Sequence, residues 1–171
     1  MLLTGTYERS LDEKQRLALP KRIRELIGSA GQLLFLTPGT DGSLALYAGP
    51  AFAKMADKLA AQSPTAQDVR AFGRLLYAQT QSVELDSQGR FRVPPELARH
   101  AELGRECVLV GVGDHIELWE KERWNAYLAQ LQPRYDQLAE SALSGVAPVQ
   151  LSASPAGSVT EEDAARPTQP R

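Results

Sequence analysis

Cysteine is nearly absent from this chain: Cys107 is the only one in 171 residues. A single thiol forms no internal disulfide, which excludes the disulfide-stapled secreted scaffolds and fits a reducing cytosol. Cys107 itself lies in an apolar stretch and reads as a small core residue. Histidine is almost as scarce. His100 and His115 are isolated from each other and from any His, Asp or Glu at metal-ligand spacing, so no metal site is expected. Gly111-Val112-Gly113 lacks the rest of a dinucleotide fingerprint and reads as a turn between two strands. No serine sits in a nucleophile elbow. The sequence therefore offers no catalytic residue and no cofactor. Long apolar runs are missing too. Nothing approaches the ~20 residues of a membrane span, and Met1–Ser10 has no basic region followed by an apolar one, so a secretory signal is not expected. A cytoplasmic protein without a membrane partner is the expectation.

An excess of positive charge is the last absence. The chain carries 19 Lys and Arg against 21 Asp and Glu. Beyond residue 137, however, stand only Arg166 and Arg171 against Glu140, Glu161, Glu162 and Asp163. The body is neutral and the acidity sits in the tail. Within the body, Lys14, Arg16, Lys21, Arg22 and Arg24 run to Arg24 with no acid between Lys14 and it, a local basic patch of the kind that meets nucleic acid or simply faces solvent.

What the sequence does have is a repeat. Leu11-Asp12-Glu13-Lys14-Gln15-Arg16-Leu17-Ala18-Leu19-Pro20 returns 74 residues on as Leu85-Asp86-Ser87-Gln88-Gly89-Arg90-Phe91-Arg92-Val93-Pro94. Leu33-Leu34-Phe35-Leu36 matches Cys107-Val108-Leu109-Val110 at the same offset. After a two-residue gap the offset becomes 72, with Leu46-Tyr47 meeting Leu118-Trp119 and Phe52 meeting Trp124. Two copies are too few for a solenoid and fit two half-units folded against each other.

Each copy predicts the same elements. A strand (3–9, or 81–85) leads to a turn at Asp12–Gln15 or Asp86–Gly89, where Asp and Gly favour turns. A short strand (16–19, or 90–93) ends at proline, which suits the first turn of a helix. Ile23, Leu26 and Ile27, or Leu97, Ala98 and Ala101, give that helix its apolar face. A hairpin follows, 33–37 with 43–47 or 106–112 with 115–119, turning at Gly39-Thr40-Asp41-Gly42 or Gly113-Asp114. An amphipathic helix closes the unit, carrying Phe52, Met55 and Leu59, or Trp124, Leu128 and Leu131. Trp119 and Trp124 read as core, with base stacking as the alternative. Ser63 or Thr65 is placed to cap a linking helix over 66–77, with Val69, Phe72, Leu75 and Leu76 on one face. Residues 144–171 are rich in Ser, Pro, Ala, Gln and Thr and lack aromatics, so disorder is expected. The expected organisation is α+β, with half-units over 1–61 and 78–135, a linking helix over 62–77 and a mostly disordered tail over 136–171.

The doubled Asp-x3-Arg turn is the candidate site. Strand alternation turns Leu17 and Leu19, or Phe91 and Val93, to the core and turns Arg16, or Arg90 and Arg92, outward. Arginine donates two hydrogen bonds to O6 and N7 of guanine, and a β-ribbon fits the major groove. Asp12 and Asp86, across their turns, can hold each guanidinium in one orientation. The other reading is an ion pair that merely fixes the turn. Lys21, Arg22 and Arg24 are placed to contact phosphate, or to form a solvated helix face.

Leu3-Thr4-Gly5-Thr6-Tyr7, the paired turns followed by proline, Gly111-Val112-Gly113-Asp114 and Trp119-Glu120-Lys121-Glu122-Arg123-Trp124 resemble the MraZ family over about residues 1–131. The resemblance implies two tandem AbrB-like swapped-hairpin half-units forming a β-barrel as an internal pseudo-dimer. It implies a transcription factor that binds repeated guanine-rich boxes in double-stranded DNA upstream of the division and cell wall gene cluster, repressing its own operon. A ring-shaped homo-oligomer associated with the nucleoid is implied as well. The family's DNA-contacting motif falls on Asp12, Lys14, Arg16, Asp86 and Arg90. Gln15 stands where the family has the glycine that Gly89 supplies, so a differently shaped first turn is expected. Gln79 stands where a strand glycine is expected. AbrB-like folds also occur in antitoxins, and the acidic tail makes a protein-binding module the alternative.

Overall fold

Both Asp-x3-Arg segments fold into the same tight turn, and the rest of each repeat is arranged around it. The computed structural model describes residues 2–27 and 32–144. The first repeat gives β1 (Thr6–Ser10), β2 (Arg16–Ala18), α1 (Lys21–Ile27), β3 (Leu33–Pro38), β4 (Leu44–Ala48) and α2 (Gly49–Ala60). A linking helix, α3 (Gln67–Gln79), follows. The second repeat gives β5 (Gln81–Glu84), β6 (Arg90–Arg92), α4 (Pro95–His100), β7 (Glu106–Val112), β8 (His115–Glu120) and α5 (Lys121–Leu131). The chain divides into two units, Met1–Pro133 and Arg134–Arg171. In the second, α6 (Tyr135–Leu143) forms a helix at the start of the tail expected over 136–171 to be mostly disordered. The tail beyond residue 144 lies outside the described residues.

Six strands form one antiparallel sheet in the order β1-β7-β8-β4-β3-β5, and β2 pairs with β6 in a second ladder. Each repeat thus lends its first strand to the other's hairpin: β1 pairs with β7, and β5 with β3. The hairpins meet through β4 and β8, where Ala45 faces Glu117. In the small ladder Leu17 faces Phe91. Both pairs join equivalent positions of the repeat, so the pairing has an internal two-fold pattern. Leu17, Leu34, Leu36 and Leu46 share one buried cluster with Phe91, Val93, Leu109 and Leu118. At ~25 cal/mol per Å2 of apolar area, this shared core binds the repeats together.

Several local expectations are corrected. The first strand starts at Thr6, not Leu3. Gly5 has φ +97° and breaks the run, and Leu3 makes only an isolated bridge with Gly113. Gly111 and Val112 belong to β7, with the turn at Gly113-Asp114. A side chain at 111 would meet the backbone of Leu3 and Thr4, which explains the glycine. Gln79, the counterpart of Gly5, ends α3 rather than opening a strand. Neither Ser63 nor Thr65 caps α3; their hydroxyls bond each other at 2.8 Å, and Ala66 stands at the cap. Of the apolar face expected on α3, Leu76 is buried, whereas Phe72 and Leu75 are 52% and 61% exposed.

Candidate nucleic-acid interface

The carboxylate of Asp12 organises the first turn. Its Oδ1 accepts from the backbone N–H groups of Lys14 and Arg16, each at 2.9 Å, and its Oδ2 accepts from Arg16 Nε at 2.8 Å. Asp86 repeats the set on Gln88, Arg90 and Arg90 Nε at 2.9, 2.9 and 2.8 Å. Each turn closes with the same backbone bonds, Gln15 N–H to Asp12 O and Gly89 N–H to Asp86 O. Gln15 adopts φ +58° and Gly89 φ +73°, so the glutamine does not reshape the first turn, contrary to expectation. The backbone N–H of Arg16, and then its guanidinium, holds Asp12 below the usual carboxylate range. The N–H of Arg90 does the same for Asp86. Both aspartates are therefore charged at neutral pH, and each takes the Nε side of a guanidinium.

The two turns are coupled. Leu19 N–H bonds Gly89 O at 3.0 Å and Val93 N–H bonds Gln15 O at 2.8 Å, so each strand end is tied to the other repeat's turn. In the ladder between them, Arg16 lies opposite Arg92 and Ala18 opposite Arg90. Paired residues share a face, so three arginines stand on the outer side while Leu17 and Phe91 fill the inner side. Directly opposed like charges repel. The repulsion between Arg16 and Arg92 is relieved by Asp12. Arg92 is exposed and has no ion-pair partner among the described residues.

Lys14 is exposed beside the first turn. Lys21 and Arg22 project from α1, with Lys21 3.9 Å from Glu25 in a solvent-exposed pair. Arg24 behaves differently. It is half-buried and lies across Gly89 of the second repeat's turn.

Elsewhere the sequence reading missed a polar cluster. His115 is not isolated: its Nδ1 lies 2.8 Å from Asp114 Oδ1 and its Nε2 3.8 Å from Glu117 Oε1. The Tyr47 ring stacks on it at 4.7 Å, and Trp119 Nε1 donates to Glu117 at 2.9 Å. Burial pulls the imidazole pKa down, but the bonds to Glu117 and Asp114 outweigh it and raise the net value. The alternation His115-x-Glu117-x-Trp119 on one strand face was the available signal. The cluster borders an open cavity of about 430 Å3 lined also by Met55, Lys58 and Phe72. Cys107 is buried, and burial with the nearby Glu120 pushes its thiol up to about 12, so it is unreactive. Trp119 is buried and packs on Trp124 and Tyr127. Among the described residues, no three His, Cys, Asp or Glu are placed to hold a metal ion, and no helix is long and apolar enough to cross a membrane.

A family model described as "MraZ protein, putative antitoxin-like" matches the chain twice, over residues 2–75 and 76–144. The chain belongs to the MraZ family. The two matches divide it between the copies of the turn. It is 40% identical over 139 residues to a protein of Lactobacillus delbrueckii subsp. bulgaricus named transcriptional regulator MraZ, covering 81% of this chain and 95% of that one. Proteins with the same name from Heliobacterium modesticaldum and Saccharopolyspora erythraea are 37% and 38% identical, covering 81% and 85% of this chain and 95% and 99% of theirs.

Proposed function

We propose that this protein is a transcriptional regulator that reads double-stranded DNA with its paired Asp–Arg turns. The observation that carries this is the pair of matching turns, each holding an arginine at fixed geometry on the outer face of one short ribbon. The regulator names of its relatives support the same assignment. Arg16 and Arg90 address guanine edges in the major groove, because a fixed guanidinium matches O6 and N7, and Arg92 reaches for the same DNA from the same face. Lys14, Lys21 and Arg22 hold phosphates. Asp12 and Asp86 orient the readers and touch no base.

The half-units over 1–61 and 78–135, joined through 62–77, act as an internal pseudo-dimer of the AbrB-like swapped-hairpin kind. The exchanged strands support that reading. One such neutral body offers few phosphate contacts, so binding draws on a ring of copies along tandem guanine-rich boxes. The setting is the cytoplasm, at the nucleoid, with the protein's own operon in the division and cell wall cluster as its target for repression. Footprinting the purified protein on its own upstream region tests this. Protection of repeated guanine-rich boxes is expected, and no protected DNA would sink it.

A second reading follows from the family description's antitoxin-like wording. In it the acidic tail wraps a small protein partner. Copurification of a stoichiometric partner that is lost on removing residues 145–171 would favour it.

A further inference from the structure

The strand exchange sets a helix of one repeat against the turn of the other, and the two such junctions differ. A Cβ on residue 89 would clash with Cδ of Arg24 and fall 2.6 Å from Nη1 and 2.8 Å from Nε. Arg24 thus occupies the space that a side chain at Gly89 would take. Its Nε is buried with no hydrogen-bond partner among the described residues. A buried guanidinium N–H without a partner is unfavourable, so packing holds the side chain there. By the repeat's offset, Arg24 corresponds to Ala98 and Gly89 to Gln15. The large residue sits on the helix at one junction and on the turn at the other. Beside the first turn lies an open groove of about 540 Å3, lined by Leu11, Asp12, Gln15, Leu103 and Arg105 among others.

We propose that Arg24 is a positioning residue: its aliphatic stem clamps the Gly89 turn, fixes the direction of Arg90, and makes the second turn discriminate bases more strictly than the first. This rests on the DNA-readout assignment above. Arg24 belongs to the first repeat and Arg90 to the second, so the device exists only because the strands are exchanged. A guanidinium held to a narrow range of directions rejects a misplaced acceptor, whereas one whose turn has the same hydrogen bonds but no clamp across it can shift further to meet that acceptor.

The test uses the full chain and duplexes of its footprinted box, each base pair substituted in turn. Arg16→Ala and Arg90→Ala first assign base pairs to each turn. Arg24→Ala is then expected to lower discrimination about fivefold at the Arg90 positions only. Its salt dependence should match wild type. Arg24→Met, which keeps the stem without the charge, should retain most of the discrimination. Gly89→Gln displaces Arg24 without deleting it and should copy the Arg24→Ala loss. The double variant should be no worse than either single one, since the counterpart positions of the repeat already carry Ala98 and Gln15. If Arg24→Ala proves unfolded, the Gly89→Gln profile decides. Unchanged discrimination in Arg24→Ala or in Gly89→Gln overturns the proposal. So does a uniform loss in Arg24→Ala and Arg24→Met with a shallower salt slope, which makes Arg24 a phosphate contact. A wild-type protein that protects no DNA removes the underlying assignment as well, a failure seen before any variant is made.

Discussion

Leu17 and Phe91 face each other across the small ladder, fully enclosed, and each is the other's counterpart in the repeat. The pair lies directly beneath the outward arginines. It couples the position of the two turns to the burial of two side chains, one from each repeat.

Phe91→Ala should therefore cost about 3–5 kcal/mol, the range for emptying a buried aromatic site. Because the repeats exchange strands, urea unfolding of wild type and variant should remain one cooperative transition by fluorescence and circular dichroism. Two separated transitions would show that the halves fold independently.

Arg16→Ala and Arg90→Ala should each weaken binding to the native box by ~1–3 kcal/mol per guanine contact in a subunit. Fluorescence anisotropy on native and substituted duplexes checks this, with circular dichroism confirming the fold. Folded variants that keep wild-type affinity would reduce the Asp–Arg pairs to turn-fixing ion pairs.

Binding should be multivalent. Phosphate contacts weaken in proportion to the counterions they release, and one neutral body supplies few. Titrating duplexes with one, two and three boxes at several salt concentrations should show affinity climbing steeply with box number. The log–log salt slope should exceed what one subunit's cations allow. A single box bound as tightly as three, with a shallow slope, would refute a multi-subunit reader.

His115 gives a pH signature. Its pKa is raised in the folded protein, so its stabilising contribution is full below the ordinary value of 6.5 and fades as pH rises through the higher folded value. Asp114 and Glu117 have lowered values and lose theirs only as pH falls through the acid range. Wild type should lose stability relative to His115→Gln on going from pH 6 into the mildly alkaline range, measured by urea midpoints. Parallel midpoints across that range would mean the imidazole pays nothing to the fold.

The repeat, the Asp-x3-Arg turns, the hairpins and the outward arginines were legible in the sequence because each is set by residues a few positions apart. Asp12 needs only Lys14 and Arg16 to build its turn. Period-two alternation alone turns Leu17 inward and Arg16 outward. The conformation of Gln15 was not legible, because a residue's distaste for positive φ is a local preference, and four hydrogen bonds accepted by Asp12 across the turn override it. Which strand pairs with which hairpin was not legible from the residues themselves, since β1 and β7 are held together by contacts about a hundred residues apart in the chain. The same holds for Arg24 lying on Gly89 and for Tyr47 stacking on His115. Sequence spacing orders neighbours along a strand or helix, but only the folded chain brings distant side chains into the same space, and there their sizes and charges decide what each turn can do.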